Sequence, residues 1–152
     1  MTSGGLGTMG FGLPAAIGAK FGAPDRTVCL FVGDGGLQMT IQELGTIMQS
    51  GVAVKIILMN NSFLGMVRQW QELFWRERYS ETPMDNPDFV KIAEAYRIPG
   101  RKVTERKDLD GAIEEMLKTK GSYLLEVVVE QKGMVYPMTP AGTCVTNILF
   151  DR

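Results

Sequence analysis

Two runs of almost unbroken apolar residues, TVCLFV at 27–32 and VKIILM at 54–59, end at glycines or at side chains bearing a bare oxygen. The first stops at Gly33-Asp34-Gly35-Gly36, the second at Asn60-Asn61. A strand with one wet face alternates polar and apolar residues, whereas a continuous apolar run belongs to a strand buried on both faces, as in a parallel sheet. Tyr123 to Val129 is a third such run, and Lys102 to Thr104 reads as a short strand. Helical spacing fills the intervals. Leu13 to Phe21 is one segment. Ile41, Leu44, Ile47 and Met48 follow the capping-box pair Thr40 and Glu43 and stop at Gly51. Met66, Trp70, Leu73 and Phe74 mark a third helix, Phe89, Ile92, Ala93 and Tyr96 a fourth behind Asn86-Pro87 as N-cap and first turn. Asp108 caps a fifth that runs to about Lys118. Alternating strands and helices predict an α/β fold, a doubly wound and mostly parallel sheet with helices on both faces in three α/β/α layers. With no repeat or linker, residues 1–152 read as one domain, and the tail from Gln131 to Arg152 as irregular chain packed against it.

Composition narrows the function classes. A net charge of −1 and a pI near 5.5 provide no basic field for nucleic acid or an anionic membrane surface. No apolar stretch has the length of a membrane span and no signal peptide is visible, so a cytoplasmic location is expected. Cys29, inside an apolar run, and Cys144 read as reduced thiols. The chain has no histidine, which excludes Ser-His-Asp and Cys-His nucleophile systems and most zinc sites. Arg68, Arg76 and Arg78 interleave with Trp70, Trp75 and Tyr79, but Glu72, Glu77 and Glu81 offset them, so this is a solvated or interface helix rather than a nucleic-acid platform.

In open α/β sheets, ligands bind beyond the carboxyl ends of the strands, where Asp34 and Asn60-Asn61 lie. The GxGxxG match at Gly5 to Gly10 lacks the preceding strand that a nicotinamide site requires. The glycines around Asp34 let backbone approach a ligand and present N–H groups to an anion. Between Thr27 and Val54 there is no Lys or Arg to neutralise a phosphate. A divalent cation solves that problem, because a carboxylate and an amide oxygen are hard ligands suited to Mg²⁺. Each motif alone is equally well explained as a Gly-rich turn, with Asp34 bonded to backbone amides and Asn61 in a tight turn. Paired at two strand ends, they favour the metal.

GDG followed after twenty-four residues by NN resembles the thiamine diphosphate signature. LGTMGFGLPAAIGA, GDGGLQMTIQEL, NNSFLGMVRQWQELF and YPMTPAG together are similar to the catalytic large subunit of the acetolactate synthase (acetohydroxyacid synthase) family, from Ser3 to about Gly142. The resemblance implies the thiamine diphosphate-binding fold. It implies that Asp34, the Asn61 side chain and the Phe63 carbonyl hold Mg²⁺, and that backbone groups around Gly35, Gly36, Gly65 and Met66 receive the diphosphate. Gly7 and Met9 would contact the aminopyrimidine, with the Met9 side chain propping the cofactor. Met66, Val67 and Trp70 would line a substrate channel with Ala141 nearby, although from spacing alone Met66 and Trp70 read as ordinary helix-face core.

The implied activity is decarboxylation of pyruvate and transfer of the two-carbon unit to a second 2-keto acid, in branched-chain amino acid biosynthesis. Another thiamine diphosphate decarboxylase or carboligase, of the pyruvate oxidase or glyoxylate carboligase type, is the alternative, and GMVRQWQ argues against it. An inert cofactor-binding module is a further one. The family's large subunit is several times longer. Its pyrimidine-binding and central domains, most of the FAD site, and the glutamate that activates the pyrimidine have no counterpart in 1–152, which reads as an N-terminally clipped C-terminal domain. On this reading the chain carries no catalytic residue of its own and is inactive alone. Homo-oligomers and a regulatory small subunit are the partners the resemblance implies.

Overall fold

A computed structural model describes residues 1–151. The three apolar runs and the short segment GRKV form four strands, β1 (Val28–Gly33), β2 (Val54–Asn60), β3 (Gly100–Val103) and β4 (Tyr123–Val128), all parallel in the order β1-β2-β4-β3. Gly33 pairs with Met59 in register, so the polar groups that end β1 and β2 emerge side by side. Six helices connect and flank the strands: α1 (Gly12–Gly22), α2 (Asp34–Gln38), α3 (Leu44–Ser50), α4 (Gly65–Phe74), α5 (Phe89–Ala95) and α6 (Leu109–Lys118).

Asp34 begins the short helix α2, so β1 runs directly into a helix. Two local expectations need correction. The capping box at Thr40 and Glu43 does not form. Instead Ile41–Glu43 is a 3-10 turn, the Thr40 hydroxyl donates to Gly10 O at 3.0 Å, and Glu43 accepts from Thr46 Oγ1 at 2.6 Å. Tying down the Gly10 loop claims the hydroxyl that a cap would use. The second correction is at α5, where Asp88, not Asn86, is the N-cap and accepts from Lys91 N–H at 3.1 Å. The stop at Gly51 does occur, with a left-handed φ of 71° that glycine adopts without strain.

Helices lie on both faces of the sheet. Leu30, Ile56, Leu58 and Leu124 point to one side and pack with Leu13, Ile17, Leu37, Ile47, Phe89 and Ala93, from α1, α2, α3 and α5. Ile57, Val103, Tyr123 and Leu125 point to the other and pack with Ala112 and Met116 of α6. That second layer is incomplete. Helix α6 covers β3 and β4, leaving the β1 end bare, so Phe31 is 73% exposed and Cys29 is exposed and free. On this face Lys55 is buried, and its ammonium donates to Thr119 O at 2.5 Å and Gly121 O at 2.7 Å just beyond α6. Among the described residues, no helix is long and apolar enough to cross a membrane.

Residues 131–151 of the tail are irregular, as their prolines and glycines suggest, with an antiparallel bridge between Met138 and Leu149. The tail is fastened to α4 by Gln69, whose side chain is buried and bonds both backbone groups of Val135.

Candidate functional site at the carboxyl ends of β1 and β2

A cleft of about 390 Å³ opens where β1 and β2 end and α2 and α4 begin. Met9, Asp34, Gly35 and Gly36 line one side, and Asn61, Phe63, Gly65, Met66 and Val67 the other. Of the residues anticipated from the sequence, Gly7, Trp70 and Ala141 are not part of this lining. Asn60 is not part of it either: it turns into the interior and is buried. A larger hollow of about 550 Å³ runs between α1 and the free edge of β1 and contains none of the paired strand-end residues.

Asp34 is only 2% exposed and its carboxylate is held entirely by neutral donors. Oδ1 accepts from Gly35 N–H at 3.0 Å, and Oδ2 accepts from Ser62 N–H at 2.8 Å and from the Asn86 amide at 2.7 Å. Among the described residues no ion pair involves Asp34. A buried charge without a countercharge is costly, and a cation in the cleft removes the cost. Among the described residues no cluster of three His, Cys, Asp or Glu side chains exists to hold one, so the donors available are a carboxylate, amide oxygens and backbone carbonyls. This oxygen set suits Mg²⁺.

The turn after β2 supplies the facing donors. Asn61 Oδ1 accepts from Phe63 N–H at 3.2 Å, and Ser62 takes a left-handed φ of 56°, uncommon for a residue with a side chain. Its N–H is shared between Asp34 Oδ2 and Asn60 Oδ1, at 2.8 and 3.1 Å, which holds the turn in that conformation. Two glycines are needed for close approach. A Cβ on Gly35 would stand 2.8 Å from Leu64 Cδ2 and 3.2 Å from Met9 Cε, and one on Gly65 3.1 Å from Asn61 Nδ2. Helix α4 starts at this wall, and the first N–H groups of any helix lack intrahelical partners and favour anions.

A family model described as thiamine pyrophosphate enzyme, C-terminal TPP binding domain, matches residues 1–127. The chain belongs to that family. Among its relatives, the acetolactate synthase isozyme 2 large subunit of Escherichia coli (strain K12) is 47% identical over 98% of this chain and 27% of its own length. The mitochondrial acetolactate synthase of Schizosaccharomyces pombe is 52% identical over 100% of this chain and 23% of its own. A solved structure, the thiamine diphosphate-dependent 4-hydroxybenzoylformate decarboxylase of Rhodococcus jostii RHA1, superposes with a TM-score of 0.75 at 33% identity, over 80% of this chain and 23% of that one. The chain thus spans about a quarter of the length of these relatives.

This TPP-binding domain contains polar residues at the site that the sequence reading passed over. Asn86, where the local pattern predicts a helix cap, is turned inward: its amide donates to Asp34 Oδ2 and to Asn60 Oδ1 (2.9 Å), and its oxygen accepts from Gln38 Nε2 at 2.8 Å. Glu126, in the middle of β4, is fully buried and accepts from Asn60 Nδ2 at 2.7 Å. Arg68 belongs to no solvated face. It is 2% exposed, paired with Glu72, and its guanidinium lies 5.8 and 5.7 Å from the ring centroids of Phe63 and Tyr79. Burial and a hydrogen bond to Glu72 raise the Tyr79 hydroxyl above its ordinary pKa. Four apolar residues of α4, Met66, Val67, Trp70 and Phe74, are not core and stay partly exposed; Trp70 and Phe74 meet edge to face, with ring centroids 5.2 Å apart.

Proposed function

We propose that the chain is the diphosphate- and Mg²⁺-binding domain of a thiamine diphosphate-dependent acetolactate synthase. Such an enzyme decarboxylates pyruvate and condenses the two-carbon unit with a second 2-keto acid. The observation that carries the reading is Asp34, a buried carboxylate with no cationic partner among the described residues, at the floor of a glycine-walled cleft. Asp34 Oδ1, the Asn61 amide oxygen and the Phe63 carbonyl would hold Mg²⁺. Backbone groups of Gly35, Gly36, Gly65 and Met66 would receive the diphosphate, and Gly7 and Met9 the aminopyrimidine. When bound, thiamine diphosphate supplies the electron sink for decarboxylation. The chain's part is to hold that group, orient it and shield it, with Met66 and Val67 shaping the cleft, and Trp70 and Ala141 further out on the substrate's path.

Identities of 47% and 52% to acetolactate synthases support this reading over another 2-keto acid decarboxylase, whose representative is 33% identical. The fraction of those relatives spanned supports assigning the chain one share of the work, with a pyrimidine-binding domain, a central domain and FAD contributing the rest. The partly exposed apolar face of α4 suits a contact with such a domain or with a second subunit. Calorimetric titration of the chain with thiamine diphosphate tests the assignment. Binding is expected with Mg²⁺ present, and its loss in EDTA and in Asp34→Ala. Equal affinity in EDTA would refute it.

A further inference from the structure

We propose that Asn86 and Glu126 are positioning residues that set the metal end of the site before any metal arrives. The inference rests on Asp34 and Asn61 being the Mg²⁺ ligands. A polar chain, buried at Asp34, Asn60 and Glu126 and half exposed at its Lys102 end, crosses the whole sheet. Lys102 of β3 pairs with Glu126 Oε1 of β4 at 2.9 Å, Glu126 accepts from Asn60 of β2, and Asn60 Oδ1 accepts from Asn86, which also donates to Asp34 at the end of β1. Each Asn86 amide hydrogen has one use, and its oxygen is held by Gln38. Both acceptor sites of Asp34 Oδ2 are taken, by Ser62 N–H and Asn86, while Oδ1 accepts one bond and keeps one site open. Three hydrogen bonds thus hold the carboxylate's orientation, and one lone pair is left for a ligand.

Glu126 acts at the second donor. It is 0% exposed within an otherwise apolar strand, and its Oε2 has no hydrogen-bond partner among the described residues. Fold stability does not explain such a group, since well-packed apolar residues often match or exceed buried ion pairs. Its contact does explain it. By fixing Asn60 Nδ2 it directs Asn60 Oδ1 at Ser62 N–H, which holds the left-handed turn carrying Asn61. Ligands held this way bind metal without first being ordered, and their supporting partners typically matter about 10–100-fold in metal affinity.

The test is Mg²⁺ affinity by calorimetry in the presence of thiamine diphosphate, with amide exchange of the metal-free chain as a second readout. Asn86→Ala and Glu126→Leu are expected to weaken Mg²⁺ by about tenfold or more, and Glu126→Gln, which keeps an acceptor for Asn60, by about threefold at most. In the first two variants exchange at Ser62 and Phe63 is expected to quicken ahead of the rest of the chain, which a loss of global stability alone would not produce. The two positions lie on different elements, so if one variant does not fold the other carries the test. Wild-type chain that binds thiamine diphosphate equally well without Mg²⁺ would overturn the site assignment and this inference with it. Mg²⁺-dependent wild type with both variants within about twofold of it would overturn the positioning role alone.

Discussion

Replacing Gln69 by alanine should free the C-terminal tail while leaving the sheet intact. Gln69 Oε1 accepts from Val135 N–H at 2.7 Å, and Nε2 donates to Val135 O at 3.0 Å and lies 3.0 Å from Met138 Sδ. A hydrogen bond contributes about 0.5–1.5 kcal/mol net. Val135 is 60% exposed, so water can replace the lost partner, and the lower half of that range applies to each bond. Two bonds then give about 1–2 kcal/mol, a factor of about 5–30 in the docking equilibrium. The effect should stay local, because the tail contributes nothing to the buried clusters that pack the sheet. Amide exchange at Val135 and at the Met138–Leu149 bridge should accelerate by that factor in Gln69→Ala, and protease should nick residues 131–150 first. Exchange within about twofold of wild type, with α4 still folded, would show that the tail is held by something other than this side chain.

Two glycines should respond with opposite signs. A Cβ at Gly100 would stand 2.8 Å from the backbone oxygen of Leu124, which cannot move aside, so Gly100→Ala should cost about 1–3 kcal/mol in urea unfolding. Gly111 lies inside α6 with nothing near its missing Cβ, and Gly111→Ala should stabilise by about 0.5–1 kcal/mol; shifts of the same sign would contradict the packing account. Burial and the Glu115 carboxylate push the Tyr123 hydroxyl up to about 12, above its unfolded value near 10. The neutral form is thereby favoured in the fold, so this contribution is complete below pH 10 and lost as pH rises toward 12. Tyr123→Phe should remove that part of the alkaline slope, and an unchanged slope in urea titrations between pH 9 and 11 would refute it.

The sheet was legible because non-alternating apolar runs have one ready explanation, strands covered on both sides. How completely each side is covered was not legible. It depends on which crossover lands over which strand, and α6 follows β3, so its cover reaches β4 and stops short of Cys29 and Phe31. Helix α4 shows the complementary failure. Its apolar spacing predicts a buried stripe, yet Arg68 and Gln69 are its buried residues, because a stripe records that a partner surface exists and not that the same chain provides it.

A carboxylate among apolar residues must find a partner, which singles out Asp34 at the end of its run. Glu126 offers the same signal within YLLEVV, and the same rule would have found it. Asn86 is a harder case. Before a proline it fits a capping pattern that is entirely local, whereas its actual partners Asn60, Gln38 and Asp34 lie 26, 48 and 52 residues away in sequence. A local rule wins on paper because it needs no knowledge of the fold. It loses in the structure because Asp88, two residues on, can cap α5 just as well and releases the amide for the interior. The order of the sheet completes the explanation. Glu126 stands between Asn60 and Lys102 because β4 is inserted between β2 and β3, an adjacency that chain order conceals and that only the crossover of the last strand creates.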